Sequence, residues 1–179
     1  MNLWFYDDYY RMTGTRYKVG IKSLMQCVFS HQIRYVFWWR KCSRKKSIFY
    51  KLILKRYAAK YGLEISLDAV IGKGLYLGHP YNITVGGGVI LGDNINLHKG
   101  CTIGRENRGK RAGVPTIGNG VSVGINATVI GNIHIGDDVM IASNSFVNFD
   151  VPDHSVVVGN PGVIHHKENA TDSYIAFRV

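Results

Sequence analysis

The most constraining feature of this chain is a six-residue repeat that runs from Leu63 to Val147. In each unit two apolar residues flank one other residue, as in the pair Leu75 and Leu77. A period of six over this span does not fit one face of an α-helix, which recurs about every 3.6 residues. It predicts a parallel β-helix, in which each hexad is one short strand and one turn and the aliphatic side chains stack into an interior column. About thirteen hexads predict roughly four coils.

Two shifts in phase interrupt the repeat. Two residues beyond the six-residue spacing separate the repeat units between Leu77 and Val85, and eight extra residues separate them between Ile103 and Ile117. The second shift contains a loop with the sequence RENRGKRAGV. The repeat therefore divides the chain into an N-terminal segment, a repeat body with one loop, and an exit segment with a polar tail. We predict their boundaries at 1–62, 63–151 with the loop at 105–114, and 152–179.

The positive charge of the chain lies in its N-terminal segment. The net charge is +10 overall, +12 in residues 1–62 and −2 in residues 63–179. Apolar residues follow helical spacing in this segment, so we predict α-helices there, a turn or helix end within 37–46, and a stop at Gly62. The two helical series are Ile21, Leu24, Met25 and Val28, and Phe49, Leu52, Ile53 and Tyr57.

Two interpretations of the N-terminal helices are compatible with each other. A solenoid needs its open end covered, so the helices are expected to cap the coils. Aromatic and basic residues side by side also suit an anionic membrane surface, which predicts a peripheral membrane contact through residues 21–60. The longest apolar run, at 35–39, is far short of the ~20 residues that span a bilayer. No nucleic-acid recognition motif accompanies the charge. The residues behind the membrane interpretation are Phe37, Trp38, Trp39, Arg40, Lys41, Arg44, Lys45 and Lys46.

Several stretches together resemble the hexapeptide-repeat acyltransferases, most of all serine acetyltransferases and their polysaccharide O-acetyltransferase relatives. They include GKGLYLGH, VGGGVILGDNINLHKGCTIG and VPDHSVVVGNPG, and the resemblance covers about residues 62–166. It implies a mainly β fold, a left-handed parallel β-helix with an N-terminal α-helical segment. It also implies a homotrimer with acetyl-CoA as co-substrate, bound in the cleft between neighbouring subunits. The three cysteines, Cys27, Cys42 and Cys101, show neither metal spacing nor a disulfide framework and suit a reducing compartment, so we expect a cytoplasmic location.

The resemblance places a catalytic pair at His79 and Glu64. In the family the histidine at this position is the general base, and an imidazole is suited to taking a proton from a hydroxyl group near neutral pH. The matching acidic residue orients the histidine, which implies the same role for Glu64. Without the resemblance, His79 is an ordinary structural histidine and Glu64 a solvated acid.

The donor and acceptor sides of the site are also implied by the resemblance. Acetyl-CoA is expected to contact Gly104, Arg105, Ile125 and Ser143. The loop, if it is more than a solvated surface segment, is expected to meet the CoA phosphates or the acceptor. No metal is expected, because the spacing of the histidines does not match the metal-binding members of this fold. The expected substrate residues are Gly78, Arg108, Lys110 and Arg111.

The chain departs from serine acetyltransferases at three acceptor positions. Gly78 stands where they carry an aspartate, and Gly113 and Val114 stand where they carry an Arg-His pair. Losing charged partners disfavours a zwitterion such as serine. We therefore expect an acetyl-CoA-dependent O-acetyltransferase acting on a sugar hydroxyl of a capsular or exopolysaccharide or its lipid-linked precursor, at the inner face of the membrane if the helices bind lipid. Serine O-acetylation, N-acetylation of an amino sugar and a non-catalytic β-helix scaffold stay open as alternatives.

Overall fold

Four α-helices precede a left-handed parallel β-helix, as the repeat and the resemblance predict. The computed structural model describes residues 3–45 and 47–179, so Lys46 and the first two residues of the N-terminal segment lie outside the described part. Helix α3 ends at Lys45, within the stretch 37–46 for which we predicted a turn or helix end, and helix α4 ends before a left-handed Gly62, the predicted stop. The helices are α1 (Leu3–Thr13), α2 (Ile21–Phe29), α3 (His31–Lys45) and α4 (Ile48–Tyr61).

Three sheets form the walls of the β-helix in the described residues, and each of the first four coils contributes one strand to each of them. The fifth coil contributes to the second sheet only a bridge, between Val151 and Ile135. The first sheet contains β1 (Glu64–Ile65), β4 (Thr84–Val85), β7 (Thr102–Gly104), β10 (Thr128–Ile130) and β13 (Phe146–Val147). The second sheet contains β2 (Val70–Ile71), β5 (Ile90–Leu91), β8 (Thr116–Ile117) and β11 (His134–Ile135). The third sheet contains β3 (Tyr76–Gly78), β6 (Asn96–His98), β9 (Ser122–Val123), β12 (Val139–Ile141), β14 (Ser155–Val158) and the antiparallel β15 (Val163–His166).

The hexad residues form the predicted interior column. In the third sheet Leu77, Leu97, Val123, Ile141 and Val157 follow one another in register, and each is fully buried. Burying one such side chain contributes about 1.5–3 kcal/mol. Because every coil repeats this contribution, the column is the main source of stability of the repeat body.

The β-helix has about five coils, so the prediction of roughly four was wrong. The reason is that the repeat continues past residue 151. Val151 bridges to β11, and β14 pairs in parallel with β12. The boundaries at 62/63 and 151/152 stay predictions about domain organisation.

The N-terminal helices pack onto the first coil. The indole Nε1 of Trp39 donates to the carbonyl of Ile65 at 3.1 Å, and the hydroxyl of Tyr35 donates to the carbonyl of Leu63 at 3.2 Å. Trp39 and Tyr35 are both buried and belong to the same core cluster as the coil residues. Trp39 therefore faces the coils, which corrects its assignment to a membrane-facing surface.

Arg40 is also buried, against the sequence-based assignment to a membrane surface. Its guanidinium forms two bonds to the carboxylate of Asp8, Nε to Oδ2 at 2.8 Å and Nη2 to Oδ1 at 3.0 Å. Its Nη1 donates to the carbonyl of Ile71 at 2.7 Å, and Asp8 accepts the backbone N–H of Leu75 at 2.8 Å. The pair thus joins two helices to the first coil.

A different part of the N-terminal segment is exposed. Within the described residues, no helix is both long and apolar enough to cross a membrane. Helix α2 presents a row of solvent-exposed apolar side chains, and the start of α4 presents more. These residues are Ile21, Leu24, Met25, Val28, Phe29, Ile48, Phe49 and Leu52.

The C-terminal tail returns along the outer face of the third sheet. Asp138 accepts hydrogen bonds from the backbone N–H groups of Ala170 and Thr171 and from the Thr171 hydroxyl. Burial opposes ionisation of this carboxylate, but these bonds, with one from His154, lower its pKa to about 2. The amide of Asn96 donates to the carbonyl of Tyr174 at 2.8 Å. The tail therefore covers the sheet that carries the strand leading to His79.

Candidate active site

His79 lies at the corner between β3 and β4, where the first coil passes into the second. The two extra residues of the first phase shift form this corner. Both His79 and Asn82 have left-handed backbones, with φ of 47° and 53°. Histidine and asparagine are among the non-glycine residues that adopt this conformation. The corner leaves the His79 side chain exposed, outside the interior column.

The backbone of the corner is held from three sides. The N–H of Tyr81 donates to the carbonyl of His79 at 2.8 Å within the turn. The N–H of Asn82 donates to the carbonyl of Tyr61 in α4 at 2.9 Å, and Gly100 of the next coil donates to the carbonyl of Tyr81 at 2.9 Å. The N-terminal helices and the second coil therefore fix the position of His79 together.

Aromatic packing adds to these bonds. The ring of His31 stacks on Tyr61 at a centroid distance of 4.7 Å and contacts Tyr81 at 5.3 Å. Burial lowers the pKa of His31, and the charge of Arg34 lowers it further, against a hydrogen bond to the backbone of Pro80. Its Nε2 is buried without a hydrogen-bond partner among residues 3–45 and 47–179. A neutral His31 therefore packs directly behind the corner.

Glu64 lies at the same edge of the β-helix, at the start of β1. It is exposed and pairs in register with Thr84, the first residue after the corner in β4. In the described part of the chain, no hydrogen bond joins its carboxylate to the imidazole of His79. The structure thus brings the two residues to one edge, and their pairing stays a prediction.

His98 occupies the space next to Gly78. The two residues are partners in the register of β3 and β6, and a Cβ atom on Gly78 would lie 2.4 Å from Nδ1 of His98. A side chain at position 78 thus requires His98 to move, which favours glycine at this position. Burial lowers the pKa of His98, and His79 lowers it further. A second imidazole, neutral near pH 7, therefore stands beside the proposed base.

Two of the expected acetyl-CoA residues lie along the same edge as His79. Ile125 follows β9 and Ser143 follows β12, each at the corner from the third sheet to the first. Backbone bonds stack these corners: Lys99 to Gly78 at 3.0 Å, Asn126 to Lys99 at 3.0 Å and Asn144 to Ile125 at 2.8 Å. His79, Ile125 and Ser143 therefore form one line of corners in successive coils.

The other expected residues lie on a different edge. Gly104 ends β7, and Arg105 begins the loop that connects the first sheet to the second. The loop is a small hairpin closed by the bridge between Glu106 and Gly113, and the guanidinium of Arg111 donates to the carbonyl of Asn148. Arg105, Arg108 and Lys110 are exposed. Within one chain, the loop and His79 are not brought together.

Sequence reasoning missed the residues that support the corner. His31 and Tyr61 precede the repeat, and the sequence carries no signal that they pack against residues 79–82. We predicted no role for His98, although its position one coil above Gly78 follows from the register of the hexads. Among the described residues, no group of three or more His, Cys, Asp or Glu side chains is placed to hold a metal ion.

Comparison with known proteins agrees with the fold. The family described as "Bacterial transferase hexapeptide (six repeats)" matches residues 115–148. A serine acetyltransferase of Staphylococcus aureus is 36% identical over 142 residues, which are 78% of this chain and 64% of that protein. The chain is therefore similar to the hexapeptide-repeat transferases and, among them, to serine acetyltransferases.

Two further relatives define how far the similarity extends. Serine acetyltransferase 4 of Arabidopsis thaliana is 40% identical over 106 residues, which cover 59% of this chain and 30% of the plant protein. The crystal structure of Neisseria gonorrhoeae serine acetyltransferase in complex with serine superposes with a TM-score of 0.76 at 27% identity. It covers 90% of this chain and 67% of the gonococcal chain. The chain thus spans less than two thirds of the curated relatives it matches.

Proposed function

We propose that this protein transfers the acetyl group of acetyl-CoA to a hydroxyl group, with His79 as the general base. The observation that carries the proposal is the corner itself. It exposes one histidine at a fixed position in a chain similar to serine acetyltransferases, and the helical cap and the second coil hold that position from behind.

The chemistry follows from the exposed imidazole. His79 takes the proton of the acceptor hydroxyl as the oxygen attacks the thioester carbonyl. The imidazolium then returns a proton to the departing CoA sulfur, so the histidine ends the cycle neutral. A carboxylate within reach stabilises the charged intermediate state of the histidine. Glu64, at the same edge, is the proposed source of that carboxylate.

A homotrimer is part of the proposal. His79, Ile125 and Ser143 lie on one edge of the β-helix, whereas Gly104 and the loop lie on another. A neighbouring subunit that places its loop edge against the His79 edge completes the site. Acetyl-CoA then lies between subunits, against the line of corners. The unpaired cysteines, Cys27, Cys42 and Cys101, fit a reducing, cytoplasmic location.

Serine is the acceptor that the relatives support best. The relatives compared above carry serine acetyltransferase as their name, and the gonococcal structure was solved with serine bound. In this chain the carboxylate of serine has no arginine or histidine at positions 113 and 114. Arg111 is the nearest cation in sequence, but its guanidinium donates to the carbonyl of Asn148, so we propose that the exposed Arg108 and Lys110 of the loop bind the serine carboxylate.

A sugar hydroxyl is the second candidate, and one observation favours it over serine. Gly113 has no side chain and a φ of 144°, and Val114 packs against the core. With Gly78 covered by His98, three positions that bind serine in the family offer no ionic group. A neutral hydroxyl acceptor, such as a unit of a surface polysaccharide or its precursor, needs none.

The release of CoA from acetyl-CoA by the purified chain separates these acceptors. The assay compares serine, other amino acids, and mono- and oligosaccharides at equal concentration. We expect serine to accelerate release and Arg108→Gln with Lys110→Gln to raise the KM for serine without changing the KM for acetyl-CoA. If saccharides and not serine accelerate CoA release, the acceptor is a sugar hydroxyl and the proposal of serine is wrong. Release that no acceptor accelerates would contradict both.

We also propose that the exposed face of α2 contacts an anionic membrane surface. Its apolar side chains lie in a segment of net charge +12, the composition that suits an interfacial helix. Leu24→Gln with Met25→Gln is expected to abolish co-sedimentation with vesicles that contain phosphatidylserine. Val163→Gln with Ile164→Gln, on the exposed strand β15, is the matched control. Equal loss in both variants, or no sedimentation of the parent, would contradict the contact.

A further inference from the structure

Helices α3 and α4 form the walls of a partly open cavity that the acetyl-transfer reaction does not account for. Its volume is about 290 Å³, close to the lower end of small-ligand pockets, which begin at about 300 Å³. Three cationic side chains and two tyrosines dominate its wall. The lining residues are Arg34, Ile53, Arg56, Tyr57, Lys60 and Tyr61.

The cations of this cavity carry no compensating negative charge. No Asp or Glu occurs between Asp8 and Glu64 in the sequence. In the described part of the chain, none of the three cavity cations forms a salt bridge. Arg34 instead donates from Nε to the hydroxyl of Tyr57 at 3.0 Å, which fixes its guanidinium at the wall.

The electrostatic effect of these cations reaches the neighbouring histidine. After burial, Arg34 and then Lys60 contribute to lowering the pKa of His31. Unpaired positive charges in a partly enclosed space attract anions, because the walls reduce screening by water. A guanidinium and an ammonium group are the side chains that bind phosphate oxygens most strongly.

The cavity is next to the corner that carries His79. Tyr61 lines the cavity, stacks on His31 and contacts the ring of Tyr81 at a centroid distance of 5.7 Å. We propose that this cavity binds the phosphate or diphosphate group of a substrate. Two sources share this chemistry, CoA itself and a phosphorylated acceptor. The identity of this substrate rests on the proposed acetyl transfer, whereas the binding of a phosphate anion in the cavity does not.

Calorimetric titration of the full-length chain with inorganic pyrophosphate tests the site directly. Arg56→Gln with Lys60→Gln removes two cavity charges, and Lys51→Gln with Lys55→Gln removes two charges from exposed positions of the same helix outside the cavity. We expect the cavity variant to weaken binding by about tenfold or more, because each lost cation removes a charge-assisted hydrogen bond. The control should stay within about twofold, since its charges are exposed to solvent and do not line the cavity.

Two results would overturn the proposal. One is equal weakening in both variants, which would mean attraction by net charge alone. The other is the absence of pyrophosphate binding by the parent chain at low ionic strength. Arg34→Gln, on the facing helix, is an independent check and should weaken binding as well. Thermal unfolding of each variant identifies any loss that comes from misfolding.

Competition with pyrophosphate then identifies the source of the anion. If CoA displaces pyrophosphate and dephospho-CoA does so much less well, the cavity holds the 3′-phosphate of CoA. If neither CoA nor dephospho-CoA displaces pyrophosphate and a sugar phosphate does, the cavity holds a phosphorylated acceptor. Failure of acetyl transfer to serine with pyrophosphate binding intact would contradict the proposed acceptor and leave the anion site standing.

Discussion

Replacement of His79 by alanine is expected to lower kcat for acetyl transfer by about 10²–10⁴-fold, the usual contribution of a general base. The KM for acetyl-CoA should change little, because none of the expected CoA contacts is at the His79 corner: Ile125 and Ser143 lie at later corners of the same edge, and Gly104 and Arg105 lie on another edge. The exposed position of His79 means that the substitution removes no buried contact. The measurement is steady-state release of CoA, with the free energy of unfolding determined in parallel.

The control for this substitution is His165→Ala. His165 is an exposed histidine in β15, on the last strand of the third sheet, and its loss should leave kcat within about twofold of the parent, as surface changes remote from a site usually do. An unchanged kcat in His79→Ala would remove the general base from the mechanism. If the parent and both variants show no transfer to any acceptor, the scaffold interpretation would gain support.

The repeat body could be predicted because its determinants are local. The position of the aliphatic residue within each hexad determines which side chain points inward. Successive hexads then stack in register, as the fully buried pair Leu77 and Leu97 shows. The number of coils was harder to predict. The exit segment has no clear hexad, and its strand β14 is defined by pairing with β12 and not by its own pattern.

The surroundings of the site depend on contacts that are distant in sequence. His31 and Tyr81 are fifty residues apart, and only the packing of the helices on the first coil brings them together. The same packing places Trp39 and Arg40 against the coils and not on the membrane-facing surface that we predicted for them. Their position beside other aromatic and basic residues suggested a lipid surface, but the open end of the coils provides a protein surface that buries both.

The packing of the cap predicts a second large effect, on stability. Asp8→Ala is expected to lower the free energy of unfolding by about 3–5 kcal/mol, because removing one partner of a buried ion pair leaves the other charge uncompensated. The substitution leaves the charge of Arg40 buried without a counter-ion, although its guanidinium keeps the carbonyl of Ile71 and the ring of Trp39, and the N–H of Leu75 loses its acceptor. Urea titration followed by circular dichroism measures the change.

Two comparisons separate the ion pair from a general effect of charge on the cap. Asp7→Ala removes the same charge from the neighbouring, partly exposed position, and it should cost less than about 0.5 kcal/mol. Asp8→Leu with Arg40→Met removes both charges and should destabilise less than Asp8→Ala alone, since no unpaired charge is left in the core. If Asp8→Ala costs no more free energy of unfolding than Asp7→Ala, the pair does not hold the helices on the coil.

Because α3 and α4 also support the His79 corner, the Asp8→Ala variant should lose acetyl transfer at a lower urea concentration than the parent chain.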